Sequence, residues 1–262
     1  SIRSESTRFF AQPKDTILTI MDFFPPNVTG FSVYNMKTGA FEYREGAVMK
    51  NLLLADEINR TSPKTQASLL EAMAERQVTV DGRIYKLPDP FMVIATQNPI
   101  EFIGTYPLPE AQLDRFMMRL SLGYPTKESE ILMARKFIDG KLGESIKTIC
   151  SGENIKVMRK EVAAVKINDS MLAYMQDIIA KSRQEKRCVI GASPRALLFL
   201  VRASQARAYI QGRDFVKPDD VKAVAVNVLH HRIALTPEAR IANEDIDRIL
   251  ANLVVLANVP VG

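Results

Sequence analysis

The chain has 262 residues, of which 47% are hydrophobic and 25% are charged, and its formal net charge is +5. This composition is ordinary for a globular protein, and the length predicts one large and one small domain. The basic balance suits ligands that carry phosphate, but the sequence has no run of Lys and Arg, so charge does not indicate nucleic-acid binding. The cysteines, Cys150 and Cys188, and the histidines, His230 and His231, form no metal-binding pattern.

The sequence also bears on the cellular compartment. No apolar run has the length of a membrane-spanning helix, and no secretory signal is visible at Ser1. The two widely separated cysteines fit a reducing compartment. We therefore expect a cytoplasmic protein.

The amino-terminal part alternates helices, strands and hairpins. In chain order we predict a helix over residues 4–20, a hairpin over 31–44, a buried strand over 48–55, a helix over 62–75, a hairpin over 77–87, a strand over 91–96 and a short helix over 107–119. The hairpins are indicated by alternating polarity around Lys37-Thr38-Gly39 and around Asp81-Gly82. Ser62-Pro63, a favoured cap followed by proline at the first helical position, indicates where the second helix begins.

Helical periodicity continues to the end of the chain after Gly123-Tyr124-Pro125. Helices are predicted over residues 127–139, 153–165, 169–183, 194–211, 218–229 and 243–257. We therefore predict an α/β domain at residues 1–124 and a small helical domain at residues 125–262.

The most informative motif is the pair Asp56 and Glu57, which directly follows the apolar residues 52–55. Side chains alternate faces along a strand, so the two carboxylates point to different sides of one spot. In an open α/β sheet, ligands bind at the carboxyl ends of the strands. One carboxylate can hold a hard cation such as Mg²⁺ while the other orients a water for attack on a phosphate.

Taken alone, such a pair also fits a solvated strand end with no chemical role. A second apolar strand, at residues 91–96, ends in Gln97-Asn98-Pro99 and would deliver a polar amide beside the acids. This second strand favours a ligand site, although Asn98 before Pro99 is also a common turn residue.

Longer motifs extend over most of the chain. They are VTG at residues 28–30, YN at 34–35, LADEINR at 54–60, QASLLEAM at 66–73, QVT at 77–79, IATQNP at 94–99, GTYPLPEAQLDRF at 104–116 and GASPRA at 191–196. Together they resemble the MoxR family of AAA+ ATPases from about residue 27 to near the C-terminus. The resemblance implies a P-loop NTPase fold, in which a parallel-sheet AAA+ α/β core is followed by a C-terminal helical lid.

The resemblance also implies roles for particular residues. Asp56 and Glu57 match the Walker B pair, in which the first acid holds Mg²⁺ and the second activates the hydrolytic water. Asn98 matches sensor 1, which helps to place that water against the γ-phosphate. Arg115 matches the arginine finger, which reaches the nucleotide of the next subunit, and Arg195 matches sensor 2, which touches the γ-phosphate of its own subunit.

The arginine assignments have alternatives. Arg119 lies one helical turn after Arg115 and is the alternative finger, and either residue could be an ordinary surface arginine. Arg195 falls in the first turn of a helix opened by Ser193-Pro194, where the helix N-terminus favours anions.

The resemblance implies a function as well. It implies ATP hydrolysis, with ATP and Mg²⁺ as cofactors, coupled to chaperone-like remodelling or assembly of partner proteins. It further implies a ring, expected to be a hexamer, and a partner protein of the von Willebrand A type. The hairpins at residues 31–44 and 77–87 resemble the helix-2 insert and the pre-sensor hairpin of the family, which tend to face the pore or a partner.

The sequence departs from the family at the phosphate-binding loop. No Gly-x-x-x-x-Gly-Lys-Ser/Thr occurs in the 262 residues, so none of them can be assigned as the phosphate-binding lysine. We place the missing strand, loop and helix near residues 20–24. We favour the interpretation that the functional protein contains this segment over a true deletion. A deletion would expose faces and edges of the sheet. The other hypotheses are a nucleotide-independent AAA+-like scaffold, if the deletion is real, and a motor that acts on nucleic acid.

Overall fold

The structure is a computed structural model, and it describes residues 17–20, 25–98, 105–141 and 148–259. The chain forms two compact units. The first contains Ser1–Leu108 and Leu122–Lys156, and the second contains Pro109–Ser121 and Val157–Gly262. These units divide the chain differently from the domains predicted at residues 1–124 and 125–262, and those domain limits stay a prediction.

The helices and strands are numbered here in chain order. Up to residue 98 they are β1 (Ile17–Ile20), α1 (Pro25–Thr29), β2 (Gly30–Asn35), β3 (Ala40–Glu45), β4 (Leu52–Ala55), α2 (Pro63–Glu75), β5 (Gln77–Val80), β6 (Arg83–Lys86) and β7 (Met92–Ala95). From residue 105 onward they are α3 (Glu110–Leu113), α4 (Lys127–Ile138), α5 (Gly152–Ala164), α6 (Asp169–Gln184), β8 (Cys188–Ile190), α7 (Pro194–Ile210), α8 (Pro218–Leu229), β9 (Ala234–Leu235), α9 (Pro237–Ile241) and α10 (Ile246–Leu256). Short 3₁₀ helices lie at Ala47–Met49, Ile58–Arg60 and His230–Arg232.

A parallel sheet with the strand order β1-β4-β7 forms the centre of the first unit. Its middle strand is buried at Leu53 and Ala55, which are both fully inaccessible to solvent. This sheet corrects one prediction, because Ile17–Ile20 is a strand paired with β4 and not the end of a helix over residues 4–20. Its β-branched residues favour a strand, and pairing with a buried neighbour decides the conformation. Residues 4–16, and the proposed position of the missing segment at residues 21–24, lie outside the described residues.

Two antiparallel hairpins confirm the predictions at residues 31–44 and 77–87. The first pairs β2 with β3 and the second pairs β5 with β6. Asp81 and Gly82 both have positive φ angles, 50° and 75°, as a two-residue type I′ turn requires. The hairpins touch each other through the stacked rings of Tyr43 and Tyr85, whose centroids are 3.9 Å apart.

The second unit is mainly helical, and α6, α7, α8 and α10 share its hydrophobic core. Tyr174, Leu200, Leu229 and Leu250 are among the side chains that are almost completely buried there. The predicted helices in this region are confirmed, although the small sheet of β8 and β9 and the short helix α9 were not predicted. No helix in the described ranges is long and apolar enough to cross a membrane.

Candidate functional site

The ends of β4 and β7 bring one acid and one hydroxyl side by side. Ala55 is in register with Ala95, so the residues that follow them, Asp56 and Thr96, are neighbours. Thr96 Oγ1 donates a hydrogen bond of 2.6 Å to Asp56 Oδ1, and it accepts one of 2.9 Å from the backbone N–H of Glu57. The threonine hydroxyl therefore connects both members of the predicted acid pair.

Thr96 is a residue whose role sequence reasoning missed. It closes the apolar run before Gln97, and the sequence pattern marks it only as the end of a strand. The signal that could have found it is its register, because the hydroxyl is the first polar group after β7 and lies opposite the first acid after β4.

Glu57 has an unusual backbone conformation. Its φ and ψ angles are 51° and 49°, which is the left-handed region, and the 3₁₀ helix Ile58–Arg60 begins immediately after it. This conformation costs a non-glycine residue roughly 1–2 kcal/mol, and such residues cluster at functional sites. The backbone N–H of Ile58 donates to Thr96 O at 3.0 Å, which holds the turn against β7. The Glu57 carboxylate itself lies 3.3 Å from Arg60 Nε and is partly exposed to solvent.

The buried side chain of Gln66 binds the backbone of the turn that follows Glu57. Gln66 on α2 is only 2% exposed, and its Nε2 donates to the carbonyls of Ile58, Thr61 and Tyr106 at 3.2, 3.3 and 3.0 Å. Because α2 is fixed by its Ser62 cap, the amide holds the loop after Glu57 at a defined distance from the helix.

Asn98, the predicted sensor 1 residue, lies at the same edge of the sheet. It is the third residue after β7, and its backbone carbonyl accepts a hydrogen bond of 3.3 Å from Asn59 Nδ2. The structure thus brings Asp56, Glu57 and Asn98 to the carboxyl ends of two adjacent parallel strands, with Thr96 between them.

The oxygens at this edge fit a hydrated magnesium ion. Mg²⁺ prefers oxygen ligands, keeps several waters and takes one or two carboxylates together with phosphate oxygens. Asp56 and Thr96 offer a carboxylate and a hydroxyl 2.6 Å apart at a strand end that solvent reaches. Within the described parts of the chain, no three His, Cys, Asp or Glu side chains could enclose a metal. One carboxylate and one hydroxyl are donors of the kind that Mg²⁺ combines with phosphate oxygens and waters.

The predicted nucleotide-contacting arginines lie in the second unit. Arg195 is the second residue of α7, whose cap Ser193 accepts a hydrogen bond from Ala196 N. Ser193 also donates to both carboxylate oxygens of Asp114 at 3.0 Å, and Arg195 Nη1 lies 3.4 Å from the same carboxylate. Asp114 directly precedes Arg115, so the structure brings the predicted finger segment and the predicted sensor 2 residue together.

The predicted helix over residues 107–119 is shorter than expected. Only α3, Glu110–Leu113, is α-helical, and the chain then turns. The alternative finger Arg119 is tied to α8, because its N–H donates to Asn227 O at 2.9 Å and its carbonyl accepts from Asn227 Nδ2 at 3.1 Å. Tertiary hydrogen bonds thus replace the intrahelical ones in this segment.

Two family models match separate parts of the chain. Residues 6–118 match the ATPase family associated with various cellular activities (AAA), and residues 180–253 match the AAA lid domain. The protein YeaC of Bacillus subtilis is 45% identical over 240 residues, which cover 92% of this chain and 75% of YeaC. Chaperone MoxR1 of Mycobacterium tuberculosis is 37% identical over 242 residues, which cover 89% of this chain and 63% of MoxR1. A crystal structure of a protein from Cytophaga hutchinsonii is 37% identical with a TM-score of 0.85, covering 94% of this chain and 78% of that one.

A parallel sheet with acids at its strand ends, together with a helical unit that matches an AAA lid, defines the class of AAA+ ATPases. The predicted fold class is thereby confirmed. Within that class, the chain belongs to the MoxR family.

Proposed function

We propose that the protein hydrolyses ATP with the help of Mg²⁺ and uses this reaction to remodel or assemble other proteins. The observation that carries the proposal is the centre formed by Asp56, Glu57 and Thr96 at the ends of adjacent parallel strands, in a chain of the AAA ATPase family. The remodelling part is supported by a relative that is named as a chaperone.

In this proposal each polar residue at the sheet edge has one task. Asp56 would hold Mg²⁺, and the ion would supply positive charge to neutralise the phosphate oxygens. Glu57 accepts the proton of the attacking water, and Asn98 orients that water. Thr96 keeps Asp56 and the Glu57 backbone in a fixed relation through its two hydrogen bonds.

We further propose that the protein acts as a ring, expected to be hexameric, with a von Willebrand A-type protein as a partner. Arg115 would then stabilise the charge that develops on the nucleotide of the next subunit. Such an arginine is worth roughly 10³ to 10⁵ in turnover in phosphoryl-transfer enzymes. Arg195 would contact the γ-phosphate.

ATP hydrolysis of this kind needs a phosphate-binding loop, which the 262 residues lack. We propose that the functional protein has this segment, inserted near residues 20–24. The support is that Met92 and Ile94, on one face of β7, are 58% and 41% exposed, as expected of a sheet face that lacks its cover. The scaffold and nucleic-acid hypotheses gain no support from the relatives. Intact mass of the purified protein separates a longer protein from a true deletion.

The test compares phosphate release from ATP by the full-length wild type, Asp56→Asn and Asp81→Asn. Asp81→Asn is the matched control, because it removes one charge at an exposed hairpin turn. Asp81 has a positive φ angle, and asparagine tolerates that conformation. We expect Mg²⁺-dependent hydrolysis by the wild type and the control, and a loss of roughly 10²-fold or more in Asp56→Asn. Wild-type turnover by Asp56→Asn would refute the assignment.

A further inference from the structure

Arg232 is a buried arginine whose hydrogen bonds go mainly to one short segment. Its side chain is 1% exposed, and its Nε donates to Asp114 Oδ1 at 2.8 Å. Its Nη2 donates to the backbone carbonyls of Asp114, at 3.1 Å, and Phe116. Its Nη1 donates to the carbonyl of Met117, at 3.3 Å, and to that of Val228 on α8. The guanidinium therefore binds the backbone on both sides of Arg115.

The chemistry of arginine explains why this residue can fix a segment. Its planar group presents several donors in a rigid fork, so that it can bind several carbonyls at once. The Arg232 guanidinium also lies over the ring of Phe199 on α7, 4.9 Å from the ring centroid. Contacts with α7 and α8 thus hold the guanidinium in place, and it in turn holds residues 114–117.

Asp114 provides a second connection within the same unit. Its carboxylate, 16% exposed, accepts hydrogen bonds from Ser193 Oγ and Arg232 Nε and forms an ion pair with Arg195. One carboxylate therefore joins the segment that carries Arg115 to the N-terminus of the helix that carries Arg195.

A buried ion pair such as Asp114–Arg232 is weak evidence for a purely stabilising role. Removing two charges from water is expensive, and well-packed apolar residues often stabilise a fold as well as a buried ion pair does. What a carboxylate and a guanidinium supply beyond apolar packing is directional bonding, which fixes one arrangement of the groups that they touch.

We propose that Asp114 and Arg232 are positioning residues that hold Arg115 and Arg195 in one fixed arrangement, which couples the action of Arg115 on the nucleotide of the next subunit to that of Arg195 on the nucleotide of its own subunit. The proposal rests on the proposed ATPase function, in which both arginines contact phosphate. Asp114 and Arg232 act through the backbone of the finger segment, through the α7 cap and through the ion pair of Asp114 with Arg195.

The test uses Asp114→Asn with Asp220→Asn as a matched control. Asp220 also pairs with an arginine in the same unit, since its carboxylate, 4% exposed, binds Arg213, which is 22% exposed, at 2.7 and 2.5 Å. It lies in the first turn of α8, whereas Arg232 follows the last turn. Both variants remove one charge from an Arg–Asp pair, but only the first touches the segment of Arg115.

In the full-length protein we expect Asp114→Asn to lower kcat for ATP about tenfold or more, and Asp220→Asn to stay within about twofold of the wild type. In an Arg115→Ala background, measured by single turnover, Asp114→Asn should cause a smaller fold-loss than in the wild type, because the part of its effect that depends on Arg115 is already gone. A purely structural role would give the same fold-loss in both backgrounds and would overturn the proposal. Equal effects of Asp114→Asn and Asp220→Asn would also overturn it.

A second variant covers the case in which Asp114→Asn fails to fold. Arg232→Lys keeps the charge but loses the fork, and it should likewise lower kcat more in the wild-type background than in the Arg115→Ala background. A wild type that does not hydrolyse ATP overturns both proposals. A wild type that does, with Asp114→Asn and Arg232→Lys equally active, overturns only this one.

Discussion

Thr96 makes one polar centre out of two adjacent acids, because its hydroxyl donates to Asp56 and accepts from the Glu57 N–H. Thr96→Val keeps the shape and removes both hydrogen bonds. We expect turnover to fall about 30-fold, since two hydrogen bonds are lost and each is worth about 1 kcal/mol. Thr96→Ser should restore most of the rate, and Thr79→Val, exposed on β5, serves as control. Steady-state phosphate release is the measurement, and a fully active Thr96→Val would contradict this role.

At the scale of residues, the sequence was sufficient to nominate Asp56, Glu57 and Asn98, because each follows or lies close to an apolar strand and strand ends are where ligands bind. It was insufficient for Thr96 and Gln66. Their importance depends on register and on a buried carbonyl cluster, and neither feature is local in sequence.

The 3₁₀ helix His230–Arg232 contains a titratable group that should make stability depend on pH. Burial, and next the charge of Arg232, lower the pKa of His231 from 6.5 to about 4, while its bond to Phe116 O opposes this shift. Because the unfolded chain takes up a proton below pH 6.5 and the folded chain does not, stability is complete above that pH and falls as the pH drops toward 4.

This dependence can be measured by denaturant unfolding at pH 7.5 and pH 5. From pH 7.5 to pH 5 the free energy of unfolding should fall by about 2 kcal/mol more in the wild type than in His231→Gln, because glutamine does not titrate. The same pH dependence in both proteins would show that His231 is not its source.

The turn after β3 should be intolerant of any side chain. A Cβ on Gly46 would lie 2.2 Å from Gly30 N and 2.3 Å from Val28 O, and both are backbone atoms. We expect Gly46→Ala to destabilise the protein by about 2–3 kcal/mol. Gly152→Ala is the control, because its nearest neighbour would be Pro90 Cδ at 3.6 Å. Thermal unfolding compares them, and equal midpoints would contradict the expectation.

At the scale of elements, hairpins and lid helices were predictable because turn and cap residues mark their ends. Two elements were not. The four residues of β1 fit either periodicity, and only pairing with β4 decides between them. The helix expected over residues 107–119 stops at Leu113 because later carbonyls are bonded by Arg232, a residue that is distant in sequence.

At the scale of the whole molecule, a finger that acts across subunits predicts complementation. An Arg115→Ala subunit keeps its own Glu57 and can use the Arg115 of its neighbour. A Glu57→Gln subunit keeps Arg115 and can supply it to a neighbour. Mixed rings of the two variants should therefore regain activity that neither variant shows alone. Phosphate release from mixtures, under conditions in which mixed rings form, tests this directly. No gain at any mixing ratio would remove support for a role in trans.

In the proposed reaction the carboxylate of Glu57 accepts the proton of the water that attacks ATP, and hydrolysis depends on this step. The most direct measurement is ATP binding and ATP turnover by full-length Glu57→Gln, with Glu71→Gln on the exposed side of α2 as control. Because an amide cannot accept a proton, we predict binding within about twofold of the wild type and turnover reduced roughly 10²- to 10⁴-fold. Turnover within a few-fold of the wild type would contradict the account.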